Sequence, residues 1–354
     1  MFEKKSSIDK PLLFLLLALF VVGLTALYSA GGEARFYQQL ERGGVAILFM
    51  FTLSLLNLRW QQAFALSFFL VVLLALFAVL GFGVKINNAR RWLNIGFYVQ
   101  PSEFMKVALP LGLAFLYARL SELRWWHHLA FLAMTAFVGI LVLLQPDLGT
   151  AVVIFMVGVA TVFFAGIGWR WIAGFSVLGV ASLPLFWLFF LKAYQRKRII
   201  TMFDPFQDPL GSGYHTIQSQ IAVGSGGVWG KGFQSGTQAQ LGFLPERHTD
   251  FIFAVYAEEF GLAGAVLLLF LALLITWRCL LIAGRTSNVF GRLAIGGIIS
   301  GFFGSFIVNL YMVSGLLPVV GMPLPLVSYG GTALLATFIG FGAILSVARN
   351  NTKR

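Results

Sequence analysis

Long apolar runs alternate with short polar joints along most of the 354-residue chain. The runs last about 17–25 residues, the length at which a helix crosses a hydrocarbon layer. They predict ten transmembrane helices, over 11–30, 43–58, 63–82, 103–119, 128–145, 148–166, 171–191, 252–277, 292–316 and 325–348. Pro11 opens the first run, where a helix tolerates proline. That run follows Lys4, Lys5 and Lys10 and is long for a cleaved signal peptide, so it reads as an uncleaved anchor. One interval breaks the pattern: from about 192 to 250 nothing could lie bare in lipid, which predicts a large loop between the seventh and eighth helices. The expected fold class is all-α: a polytopic integral membrane protein, one membrane domain over 1–354, without internal repeats.

Composition agrees, with 59% hydrophobic and only 11% charged residues, far from the soluble norm. The net charge of +12 is scattered among helix ends, a mark of membrane topology and anionic headgroups; no nucleic acid is expected. With the amino terminus inside, the inner segments hold thirteen basic residues and the short outer loops five. That asymmetry places both termini in the cytoplasm and the large loop outside. Cys279 is the only cysteine, so no internal disulfide forms and a thiolate metal site is disfavoured.

Polar chemistry gathers at the outer side. Asp250 stands where the large loop meets the eighth span. Desolvation there would raise a carboxylate's pKa and make it a better proton acceptor; a helix N-cap accounts for an aspartate equally well. Glu258 and Glu259 are expected two turns deeper, as intramembrane carboxylates with a function or as an ion pair holding helices together. Ser102 is expected to cap the fourth helix, with Glu103 and Lys106 on one face of its first turn. They form a surface pair worth about 0.5 kcal/mol, or a cation too costly to leave idle in an apolar span. Arg42, Arg90, Arg196 and Arg198 are headgroup contacts or cations for an anionic substrate. Asp147, in the tight joint Gln145–Thr150, serves the turn or faces a cavity. The loop from Gly315 to Gly331 carries Pro318, Pro323 and Pro325, and such backbone survives at membrane depth only against protein or a cavity. His215 and His248 lack the further ligands a zinc site needs, so no metal site is expected. Ser225–Gly232 has a P-loop look but lacks its first glycine and final hydroxyl.

Several long motifs resemble one family. They are Gln145-Pro146-Asp147-Leu148-Gly149-Thr150, Gly211–His215 through Gln218-Ser219, and Gly224-Ser225-Gly226-Gly227. Phe243–Phe251 and Pro323-Leu324-Pro325-Leu326-Val327-Ser328-Tyr329-Gly330-Gly331 complete the set. Together they are similar to the SEDS family (shape, elongation, division and sporulation), across essentially the whole chain. Gly236-Thr237-Gln238 and Arg196-Lys197-Arg198 look more like its elongation branch than its division branch. The resemblance implies a peptidoglycan glycosyltransferase of the bacterial cytoplasmic (inner) membrane that polymerises lipid II. Its implied partners are a class B penicillin-binding protein and other rod-complex membrane proteins. The family's catalytic acid falls on Asp250, and its functional glutamate and lysine on Glu103 and Lys106.

The residues suit that reaction. A sugar hydroxyl attacks an anomeric carbon once a carboxylate takes its proton, and cations stabilise the departing lipid diphosphate. Asp250 is the base; Lys106, Glu103, Arg42, Arg90, Arg196, Arg198, Asp147, His248 and Glu258 form the expected substrate-binding set. No cofactor is required, and a divalent cation such as Mg2+ is compatible with the scheme. A transporter (flippase) of the lipid-linked precursor is the competing reading, since ten spans with buried charges also describe carriers.

Overall fold

In the computed structural model the protein is predominantly helical. The structure describes residues 8–351 except 87, 88, 190–192, 210, 212 and 245, and along parts of 172–198 it describes the backbone alone. Helix α1 covers Lys10–Leu55, α2 Leu58–Phe82, α3 Pro101–Ala118, α4 Trp125–Leu144, α5 Leu148–Phe164 and α6 Trp169–Phe189. The central stretch forms α7 (Ala193–Phe203), a 3-10 turn over Pro205–Gln207, α8 (Tyr214–Ser225) and α9 (Thr237–Gln240). Then come α10 (Ile252–Arg285), α11 (Val289–Val313) and α12 (Gly331–Asn350). Among the described residues, α1, α2, α4, α10, α11 and α12 are long and apolar enough to cross a membrane.

Two of these helices are broken by a glycine. In α1, Gly32 has φ 78° and ψ 177°, a conformation that costs other residues dearly. A straight helix would separate Phe20 from Gly43 by about 34 Å, yet the Phe20 ring lies against Gly43. The rings of Tyr28 and Phe36 also meet, 5.5 Å apart. The helix therefore turns back at Gly32 into two antiparallel arms. Asp9 caps the first arm, accepting from the Leu12 amide at 3.0 Å, with Pro11 in the first turn. In α10, Gly261 (φ 64°) separates a short arm, 252–260, from a long one, 262–285. The backbone of Val228 and Gly230 packs where a side chain at Gly261 would project. The expected span 252–277 is thus two helical segments, and Glu258 and Glu259 lie near the end of the short arm, just before the bend.

The long arm of α10 lies antiparallel to the first arm of α1. Arg278 pairs with Asp9 at one end, at 2.8 Å, and Ser29 donates to the Glu259 carboxylate at the other. Helix α11 is the hub. Of its most apolar window 78% is buried, against 28% for α2 and for α4, which face outward. Its small residues let neighbours approach closely, as membrane helix pairs require: Gly297 meets Pro110 of α3 and Thr161 of α5, Gly296 meets Phe164, and Gly301 meets Val157.

The all-α expectation is corrected by a small antiparallel sheet in the segment between α2 and α3. Strand β1 (Val84–Ile86) pairs with β2 (Ala89–Asn94), and β2 with β3 (Tyr98–Val99). Strands of two to six residues leave no alternation for a sequence to display. The last expected span also starts late, because 325–330 is a run of turns and bends and α12 begins at Gly331.

Candidate active site

The approach to Asp250 is fixed carbonyl by carbonyl. The amide of Tyr329 donates to the His248 carbonyl at 2.9 Å. The Ser328 hydroxyl donates to the Thr249 carbonyl at 2.6 Å, and the Asn309 amide of α11 to the Asp250 carbonyl at 2.8 Å. Ser328 also accepts from the Leu324 amide at 2.8 Å, and Asn309 donates to the Met322 carbonyl at 2.6 Å. The proline-interrupted loop and the end of the large loop thus form one cross-linked unit. The N-cap of α10 is Phe251, so Asp250 stands one residue before the capping position. Its side chain is half-buried, and Oδ2 lies 3.2 Å from where a side chain at Gly321 would begin. Gly321 adopts φ 69°, so only glycine gives both that turn and that space. Leu326, buried at 3% exposure, adopts φ 64°, and such strain persists only where surrounding structure enforces it.

The same loop reaches the lysine on α3. Lys106 Nζ lies 2.7 Å from Glu103. The pair opens into a cleft whose other walls include Pro325, Ser305 of α11 and Thr337 of α12. Pro101 begins α3, and Glu103 in its first turn suits the positive helix end. The cap position belongs to Gln100, which corrects the expectation that Ser102 caps; Ser102 is buried inside the first turn.

Asp147 does more than make a turn. It is 1% exposed and caps α5, accepting from the Thr150 amide at 3.3 Å. It also accepts from Gln100 at 3.0 Å and lies 3.8 Å from Arg91. Arg91 additionally donates to the Pro146 carbonyl. Sequence reading singled out Arg90, which points outward; Arg91 on the buried side of β2 is the residue it missed. Only the strand pairing selects between adjacent arginines.

The remaining candidates divide. Arg42 packs on the Tyr329 ring, 4.9 Å from its centroid, and touches Gly331, so it borders the loop that holds Asp250. The His248 ring lies 5.9 Å from that of Tyr329. Burial, followed by the nearby Arg35 charge, lowers the His248 pKa from its ordinary value. Arg196 donates to the Leu188 carbonyl at the end of α6, at 2.9 Å. The Arg198 side chain lies outside the described residues. Glu258 is fully buried and accepts from Lys231 at 2.7 Å, Thr237 at 3.0 Å and the Gln238 amide at 3.1 Å. It ties the large loop to the short arm of α10, the ion-pair alternative of the sequence reading. Among the described residues, no three histidine, cysteine or carboxylate side chains cluster as metal ligands.

A family model described as cell cycle protein, covering FtsW, RodA and SpoVE, matches residues 10–353. Peptidoglycan glycosyltransferase MrdB of Escherichia coli K12 is 42% identical over 350 residues, covering 98% of this chain and 95% of that one. Stage V sporulation protein E of Bacillus subtilis is 36% identical, with 99% of each chain covered. Among solved structures, a chain from a peptidoglycan synthase complex that coordinates polymerisation and crosslinking superposes with TM-score 0.85 at 34% identity, covering 98% of this chain and 99% of its own. The crystal structure of the Thermus thermophilus rod shape determining protein RodA gives 0.74 at 31%, with the same coverage.

Proposed function

The chain belongs to the FtsW, RodA and SpoVE family, and from that premise we propose that Asp250 is the general base of its glycosyl transfer. The protein is a multi-pass membrane peptidoglycan glycosyltransferase acting in cell elongation. Its proposed substrate is lipid II, its product a glycan strand, and its leaving group the lipid diphosphate. The acceptor sugar's hydroxyl gives its proton to Asp250 as its oxygen attacks the donor's anomeric carbon. A single displacement inverts that carbon and needs one carboxylate, not a close pair.

The observation that carries this reading is the series of three consecutive carbonyls, at His248, Thr249 and Asp250, each held by a different donor. A base must be held in place to act, and this backbone is held at the reacting residue itself. Lys106, oriented by Glu103, is the proposed diphosphate clamp. Arg42, beside Tyr329, is a second substrate cation, and His248, Asp147 and Arg91 shape the site's outer wall. Glu258 is assigned to positioning the loop, and Arg90, Arg196 and Arg198 stay as outer-surface cations. Mg2+ arriving with the diphosphate fits the scheme without being required by it.

The proposed topology has ten crossings: two arms of α1, one each of α2 to α6, the long arm of α10, α11 and α12. The charge asymmetry places both termini in the cytoplasm and the Asp250 site outside, where a class B penicillin-binding protein would receive the strand. Purified protein with labelled lipid II provides the test. Asp250→Asn keeps size and polarity but cannot take the proton, so polymer formation should fall about 10²–10⁴-fold. Wild-type polymerisation by this variant would refute the assignment. Lipid II translocation without polymer, from wild-type protein, would favour a carrier.

A further inference from the structure

The seam between α3 and α11 opens at both ends and closes in the middle. At one end lies the Lys106 cleft; in the middle Pro110 is locked against Gly297. At the other end is a cavity of about 430 Å³ lined by Gln62, Phe115, Ala118, Arg119, Ser287, Asn288, Val289 and Phe290. Its volume falls in the range of small-molecule sites, about 300–1,000 Å³. The contacts of its neighbours place it on the face that carries both termini. Gln62 donates to Asn288 at 3.3 Å, Asn351 to the Arg285 carbonyl at 2.8 Å, and Asn350 to the Leu56 carbonyl at 3.0 Å.

Charge is one-sided here. Among the described residues the only carboxylates on this face are Asp9 and Glu122, already paired with Arg278 and Arg124. Arg119 has no carboxylate within ion-pair distance among the described residues; its guanidinium sits over the Phe115 ring, 5.0 Å from the centroid. Arg59, Arg285 and Arg292 are exposed on the same face. The cavity offers a cation and three polar side chains on one part of its wall and Phe115, Ala118 and Val289 on another. Exposed Trp60 and Trp125, at helix ends on this face, mark headgroup depth.

We propose that this cavity binds the phosphate headgroup of an anionic phospholipid from the adjacent leaflet, with Arg119 as its principal contact. A soluble anion would be served by charge alone; the apolar wall beside the arginine suits the glycerol and upper acyl segments of a lipid. The placement in the cytoplasmic leaflet rests on the proposed topology; the binding itself does not depend on glycosyl transfer.

Native mass spectrometry of the full-length protein, delipidated in detergent and titrated with dioleoyl-phosphatidylglycerol, tests it. Arg119→Gln should weaken the tightest binding event about fivefold, the equivalent of one basic contact. Arg59→Gln, outside the cavity, should not. Ser287→Trp, which fills the cavity from an exposed position, should remove that event, and dioleoyl-phosphatidylcholine should not reproduce it. Equal affinity in wild type and Arg119→Gln would overturn the proposal. So would an equal loss in Arg59→Gln, which means a diffuse surface field, or displacement by millimolar inorganic phosphate, which means a soluble-anion site.

Discussion

Two lysine–glutamate pairs in this protein share a 2.7 Å separation and a buried carboxylate, yet they are built for different work. Glu258 receives three donors, from Lys231, Thr237 and the Gln238 backbone, which link the large loop to the short arm of α10. Glu103 and Lys106 belong to one helix turn, and their pair faces a cleft walled by three other elements. Three donors from the loop, converging on one oxygen of Glu258, Oε1, hold that structure together. A pair that leaves ammonium protons toward a cleft can give them to a ligand. Ion-pair distance alone distinguishes neither.

The largest expected effect lies in the pair that ties the loop. Glu258→Ala strands Lys231 and the donors at Thr237 and Gln238, and breaking a buried pair costs about 3–5 kcal/mol. Thermal unfolding in detergent should show a clear loss of stability. A near-normal melting temperature would mean that the large loop is tied down elsewhere. Next, Lys106→Ala leaves the buried Glu103 unpaired and so lowers melting, but polymerisation per folded molecule should also fall about 10²-fold, roughly 2.7 kcal/mol of transition-state stabilisation. Lys106→Arg should recover only part, because a planar fork does not replace a compact ammonium. A Lys106→Ala protein that melts early and polymerises normally would reverse the two assignments. Thr237→Val removes one hydrogen bond from the Glu258 pair and should cost about 1 kcal/mol without changing turnover per folded molecule.

The smallest effect concerns the loop between these regions. His248 has its pKa lowered in the fold by burial, then by Arg35, so the unfolded chain binds its proton more readily. Stability should therefore decline as pH falls through the unfolded value of about 6.5 and below. His248→Gln should remove that part of the slope, as melting curves across pH would reveal.

Much of the architecture could be read in the sequence. Apolar run length located the long helices but not α7, α8 or α9, since a chain in hydrocarbon must satisfy its backbone internally and a polar loop need not. The motif around Asp250 and the pair Glu103–Lys106 could also be read, because charge next to an apolar run stands out. The bends at Gly32 and Gly261 could not: glycine permits a turn without requiring one, and packing of Phe20 on Gly43, or of Gly230 on Gly261, decides that it occurs. Nor could the choice of Arg91 over Arg90, which strand pairing makes. The roles of Asn309 and Ser328 were hidden because neither residue is charged and their partners are backbone carbonyls, 59 and 79 residues distant in the chain. Sequence alone determined that the chain is a polytopic membrane protein built of long apolar helices, since that follows from transfer free energy, residue by residue. Only the tertiary structure decided which glutamate ties separate elements together and which faces a cleft, because that depends on donors brought from other elements by the folded chain.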